Sequence, residues 1–177
     1  METKQNSFIL HTLNYGSFTG GGLVVFSLLM YSIDINFKSP LMYLAFLVLA
    51  AGIFFGIKSY RDNYLAGFIS YGKCIALGVM ISLIASIILA VYTYLFFTFF
   101  DQSMIQKIMD ATEEDLVKKG MPDEQIEMAM KITAKFMKPL WMSSMGILMY
   151  TLWGTIISLI IGIFTKKIDP SFEGQFK

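Results

Sequence analysis

Four stretches of this chain contain no Asp, Glu, Lys or Arg: residues 13–33, 40–57, 74–100 and 140–165. Each holds roughly 18 residues or more, and at about 1.5 Å rise even the shortest covers about 27 Å, close to the hydrocarbon thickness of a bilayer. A backbone inside lipid has no water to bond to, so runs of this length satisfy their own amides as helices. Composition agrees, with 55% hydrophobic residues, mean hydropathy +0.61 and 15% charged residues; soluble domains carry about 25% charge. The expected fold is all-α: an integral membrane bundle of four transmembrane helices. The lead before the first run has one basic residue, Lys4, and the run is followed by no A-x-A site. A retained anchor is therefore expected rather than a cleaved signal.

Taken in order, residues 1–12 read as a short polar lead. The first span holds Gly16 and Gly20 at i,i+4 with Gly21 and Gly22 beside them; no GK[ST] follows, so close helix packing is expected rather than a phosphate loop. A link over 34–39 leads to Pro40, suited to a first helical turn. The second span closes with Gly52 and Gly56, a small-residue pair that admits a neighbouring helix. The segment 58–73 then reads as a short hinge outside the hydrocarbon, and Lys58, Tyr60, Arg61, Asp62, Gly72 and Lys73 are its candidate functional residues. Lys58 and Asp62 stand at the spacing of a helical ion pair, and Gly67 and Gly72 are the expected turn glycines.

The third span carries Cys74, Gly78, Ser82, Ser86 and Ala90 at steps of four, a stripe of small side chains on one helix face, with Leu77, Ile84 and Ile88 on others. It ends in the aromatic run YTYLFFTFF. The last span repeats the pattern with Gly154, Ser158 and Gly162 and stops at Lys166 and Lys167. Such stripes mark where helices press together, with a narrow hydroxyl-lined path as the alternative.

Between the third and fourth spans, residues 101–138 hold two amphipathic periods separated by Gly120-Met121-Pro122. The glycine ends one helix, and proline with Asp123 and Glu124 begins the next. An extramembrane helical hairpin is expected, with Pro139 interrupting the second helix before the last span. The acids Glu113, Glu114, Asp115, Asp123, Glu124 and Glu127 lack EF-hand spacing and read as solvated helix faces.

Lysine and arginine distribution sets the expected orientation. The hinge holds Lys58, Arg61 and Lys73 and the ends add Lys4, Lys166, Lys167 and Lys177, whereas the hairpin dilutes six lysines with eight acids. Termini and hinge are therefore expected in the cytoplasm and the hairpin on the opposite side. One histidine, His11, and one cysteine, Cys74, offer no zinc-type set and no nucleophile–base pair. The expectation is a non-enzyme with no catalytic, cofactor or metal residues. A net charge of +1 gives no field for nucleic acid. The expected surroundings are the lipid bilayer and either a second copy or another membrane protein. Tyr15-Gly16 and Tyr71-Gly72 each open a span, and Gly52-Ile53-Phe54 and Gly162-Ile163-Phe164 each close one. That wording fits a duplicated two-helix unit of the kind found in small transporters.

At the hinge, Phe54-Phe55-Gly56-Ile57-Lys58-Ser59-Tyr60-Arg61-Asp62-Asn63 and Gly67-Phe68-Ile69-Ser70-Tyr71-Gly72-Lys73 resemble a family of bacterial membrane proteins, DUF4199, a domain of unknown function. The Met- and Glu-rich hairpin and the proline opening the last span resemble the family too. The resemblance implies a four-helix protein of the bacterial inner membrane and brings no known activity or ligand.

Overall fold

The structure is a computed structural model that describes residues 2–33 and 39–167, with side chains from Ser7 onward. It is helical throughout: α1 (Glu2–Ser32), a 3₁₀ turn (Pro40–Tyr43), α2 (Leu44–Tyr64), α3 (Tyr71–Leu95), a π-helical turn (Phe96–Phe100), α4 (Ser103–Lys118), α5 (Asp123–Phe136) and α6 (Pro139–Thr165). No strand occurs among the described residues, and their only sheet-like feature is an isolated antiparallel bridge between Ile69 and Lys167. Four stretches are long and apolar enough to cross a membrane: Ser7–Ser32, Pro40–Tyr64, Tyr71–Phe100 and Pro139–Thr165. The link with Lys38, the side chain of Lys4 and the tail with Lys177 lie outside the described residues.

These helices overrun the uncharged runs from which they were predicted. The polar lead is already α1, and the first half of the expected hinge, through Lys58, Arg61 and Asp62, is α2. A charged side chain ends an apolar run but leaves the backbone hydrogen-bond ladder intact, so the helix continues toward the headgroups. The connection between α2 and α3 is only Leu65–Ser70.

The chain divides into two compact units, Met1–Leu89 with Ile147–Lys177, and Ala90–Gly146. In the first unit α3 is central: half of its most apolar window is buried, against 22%, 28% and 17% for the windows of α1, α2 and α6. Leu49, Ile53, Ile57 and Tyr60 of α2 fall on one helical face and meet Cys74, Leu77 and Ile81 of α3, with Ile69 of the turn, in one buried cluster. Leu77 is fully buried in this cluster, and the half-buried Ile84 and Ile88 pack on α1: Gly16 opens a space filled by Ile84, and Gly20 one filled by Ile88 and Ala85. Gly21 has open space around it, so of the three consecutive glycines only Gly20 serves this α1–α3 contact, while Gly22 touches Val48.

The two small-residue stripes face each other. Gly78 of α3 stands against Ser158 of α6, and Ser82 of α3 against Gly154, while Gly162 meets Tyr71 and Cys74. Ser86 Oγ lies 3.2 Å from Thr151 Oγ1. Pairs that ascend in α3 and descend in α6 define an antiparallel register, and at two successive turns a glycine accommodates the other helix's serine. α1 and α2 use the same device, Gly52 against Thr19 and Gly56 against Tyr15. With helix backbones this close, dispersion and weak polar contacts drive association where lipid supplies no hydrophobic force.

In the second unit the π-helical turn is closed by the Asp101 amide donating to Phe96 O at 3.0 Å. Phe96 is buried and stacks on Phe100 with ring centroids 5.7 Å apart, while Phe99 and Phe100 are exposed. Asp101 then caps α4 by accepting from the Ser103 amide at 3.0 Å. α4 ends as its glycine predicts: Gly120 takes φ +71°, its amide bonds to Val117 O and the Met121 amide to Leu116 O, a Schellman closure. Pro122 is the extended cap of α5, with Asp123 and Glu124 in the first turn. α4 packs against α5, and Pro139 opens α6 after a break at Met137 and Lys138.

Candidate functional site

The residues singled out at the hinge do converge, though in a different arrangement from the one expected. Tyr60 is not on an interfacial surface; it is 3% exposed and belongs to the core. Lys58 and Asp62 form no ion pair. Asp62 is instead held by its neighbour Arg61, whose Nε donates to Oδ1 at 2.7 Å and Nη2 to Oδ2 at 3.3 Å. This bidentate geometry fits the planar guanidinium, whereas Lys58 offers one mobile ammonium. Gly72 is not a turn residue: it sits inside the first turn of α3 with open space where a Cβ would stand. The turn is made by Ala66 and Gly67, both at positive φ, +48° and +87°.

Replacing Gly72 with alanine is therefore expected to be neutral or to stabilise by about 0.5 kcal/mol, whereas Gly67→Ala costs about 1 kcal/mol or more. Thermal unfolding of the two variants in detergent checks the pair.

Three segments meet at this turn. Arg61 Nη1 donates to Thr165 O at 3.2 Å, so a cation from the end of α2 caps the carbonyl end of α6. Ile69 and Lys167 exchange both backbone hydrogen bonds, at 2.8 and 3.0 Å. Thr165 Oγ1 lies 3.7 Å from the buried thiol of Cys74, and the Tyr71 hydroxyl donates to Leu159 O at 3.2 Å. Beneath these lies an aromatic cluster built on His11. Its ring is 4.6 Å from Tyr15, 5.1 Å from Tyr60 and 5.5 Å from Tyr64. Tyr60 stacks on Tyr64, takes Phe8 edge-on at 5.8 Å, and carries the Lys73 ammonium 5.7 Å above its ring. His11 Nε2 lies 2.8 Å from Gly56 O. A carbonyl only accepts, so the proton is on Nε2.

His11 is the residue that sequence reasoning passed over. A first span that starts at residue 13 puts it in the polar lead. It is 5% exposed and inside the membrane-length stretch Ser7–Ser32. A signal existed: His11, Tyr15, Thr19 and Leu23 follow one another at steps of four along one face of α1, beside the face that carries Gly16 and Gly20. The helix-packing residues Gly52, Gly56, Gly78, Ser82, Ser86, Gly154, Ser158 and Gly162 all lie at helix contacts within the chain. Ser82, Ser86 and Ser158 each donate to a carbonyl of their own helix, Val79 O, Leu83 O and Gly154 O.

A chain with four membrane-length helices packed through small-residue contacts is by its fold a small polytopic membrane-type protein. The family model described as "Protein of unknown function (DUF4199)" matches residues 14–167, and the chain belongs to the DUF4199 family. No curated protein and no solved structure matches it.

Proposed function

We propose that the protein is a non-enzymatic module of the bacterial inner membrane that works by association with a second copy or another membrane protein. The observation that carries this reading is on α4 and α5, the only described α-helices outside the four membrane-length stretches. Both are strongly charged, yet Val117, Met128, Ile132 and Phe136 present apolar side chains there, Met128 at 63% and Ile132 at 53% exposure. Met128, Ile132 and Phe136 follow one another at steps of four, and a continuous exposed apolar stripe on a charged helix is characteristic of a surface that meets another body. The reading takes α4 and α5 as an antiparallel hairpin outside the bilayer, supported by their mutual packing and the Schellman turn between them. It places hinge and termini in the cytoplasm and the hairpin opposite, on the lysine and arginine distribution.

Small-residue stripes are one way in which a membrane helix offers a close contact to a partner. Here they are occupied within the chain, which moves the proposed contact to the hairpin. The alternative, a small dimeric transporter or channel for an unidentified solute, draws on the hydroxyls of the α3 stripe. Those hydroxyls bond to their own helices and are covered by α6, so they give that reading less support.

Ile132→Cys in a Cys74→Ser background, treated with a bismaleimide in native membranes, tests the association reading. A discrete cross-linked species, either a dimer or one heteromeric adduct, is expected. Monomer alone at every expression level contradicts it.

A further inference from the structure

Among the described side chains of residues 7–89 and 147–167, there are five cations and one carboxylate, and all six stand at the same end of this unit. Lys58 and Arg61 come from the end of α2, Lys73 from the first turn of α3, and Lys166 and Lys167 follow α6. Their convergence is built in. The Arg61–Thr165 bond and the Ile69–Lys167 bridge hold the end of α6 to the turn, and Lys73 lies over Tyr60. The carboxylate of Asp62 sits in the field of Lys58 and Lys167 as well as of Arg61. Asp62 fixes the Arg61 fork but offsets only one of the five charges. Each terminal nitrogen of Arg61 keeps a further N–H beyond its bonds to Asp62 and Thr165, and Lys58, Lys166 and Lys167 are exposed with no ion pair among the described residues.

We propose that this end of the bundle binds the phosphate of an anionic phospholipid, held by Lys58, Lys167 and the outer edge of Arg61. Aromatic residues at the same end favour a lipid over a free anion. Tyr64, Phe68 and Tyr71 are each more than a third exposed beside the cations. A free phosphate gains nothing from them, whereas a glycerophospholipid lays its glycerol and acyl chains along such rings while its phosphate meets the cations. Scattered exposed lysines hold a soluble anion weakly in salt; the same lysines facing lipid headgroups act on an anion already concentrated at the surface.

The test uses the full chain, delipidated in neutral detergent, with retained lipid counted by native mass spectrometry after addition of phosphatidylglycerol or phosphatidylcholine. Phosphatidylglycerol is expected to be retained at least about tenfold better than phosphatidylcholine. The double variant Lys58→Gln/Lys167→Gln removes only exposed side chains and is expected to lose most of that preference. Lys131→Gln/Lys135→Gln, an equal loss of charge on α5, is expected to keep it. Inorganic phosphate at about 10 mM is expected not to displace the lipid, since screened surface charges bind it weakly. Equal retention of the two lipids overturns the proposal, as does an unchanged preference in Lys58→Gln/Lys167→Gln or an equal fall in the α5 variant. Displacement by phosphate alone also overturns it, by making the site one for a free anion.

Discussion

Gly78→Leu is expected to abolish recovery of folded protein from membranes, and Gly78→Ala to cost about 1–3 kcal/mol, the usual range for overpacking a closed contact. A Cβ at Gly78 collides with the Ser158 side chain and stands 3.1 Å from Ile53 Cγ2. Neither neighbour has room to yield. Ser158 is fully buried and bonded to Gly154 O, and Ile53 is fully buried in the core. Steric generality is separated from position by Gly21→Ala and Gly146→Ala, where no atom lies within 4 Å of the added carbon. Those substitutions are expected to be neutral or to stabilise by up to about 1 kcal/mol through helix propensity. Reciprocal packing makes a sharper demand. Gly78→Ser places two serines face to face, and adding Ser158→Gly restores the space by exchanging the partners. The double variant is expected to melt closer to wild type than Gly78→Ser alone does, a coupling of about 1 kcal/mol or more. Additive losses would show that α3 and α6 do not meet at this register.

His11→Ala is expected to cost about 2–4 kcal/mol. Its ring fills space between Tyr15, Tyr60 and Tyr64, and truncating a buried side chain of this size leaves a cavity. The substitution also removes the bond to Gly56 O, worth about 1 kcal/mol net. Glutamine carries an N–H donor at nearly the distance of Nε2, so His11→Gln is expected to recover part of the loss. Thermal unfolding, followed by tyrosine fluorescence as well as by helicity, checks both variants. A melting temperature for His11→Ala equal to that of wild type would mean the cluster does not tie α1 to α2.

The four helices were legible because lipid imposes one strong rule, the exclusion of charge, and the sequence obeys it over four long intervals. Helix ends were not, since the rule governs side chains in hydrocarbon and is silent about a ladder that continues past it. Lys58, Arg61 and Asp62 therefore read as part of a hinge, with only the helical spacing of Lys58 and Asp62 to suggest otherwise, and are the last turns of α2. Small-residue stripes were equally plain on α3 and α6, but a period of four names the face of a helix and not its partner. The pairing does have a trace in the sequence. Read in opposite directions, Gly78 and Ser82 complement Ser158 and Gly154, each small site meeting a larger one. At the candidate site, sequence proximity puts Lys58, Arg61 and Asp62 together but does not show that Arg61, rather than Lys58, holds the carboxylate. It missed Thr165 and Lys167, whose approach depends on the tertiary return of α6, and it missed His11, which charge counting placed outside the bilayer.

Site-specific thiol labelling in a Cys74→Ser background tests most directly whether the chain crosses the bilayer four times. Cysteine is placed singly at Ser70 in the α2–α3 turn, at Gln125 in α5 and at Ile160 in the middle of α6's apolar face, and a membrane-impermeant maleimide is applied to intact spheroplasts and to inverted vesicles. The account predicts that Ser70→Cys reacts only in inverted vesicles, Gln125→Cys only in spheroplasts, and Ile160→Cys in neither until detergent is added. Reaction of Ser70→Cys and Gln125→Cys from the same side, or of Ile160→Cys without detergent, would contradict it.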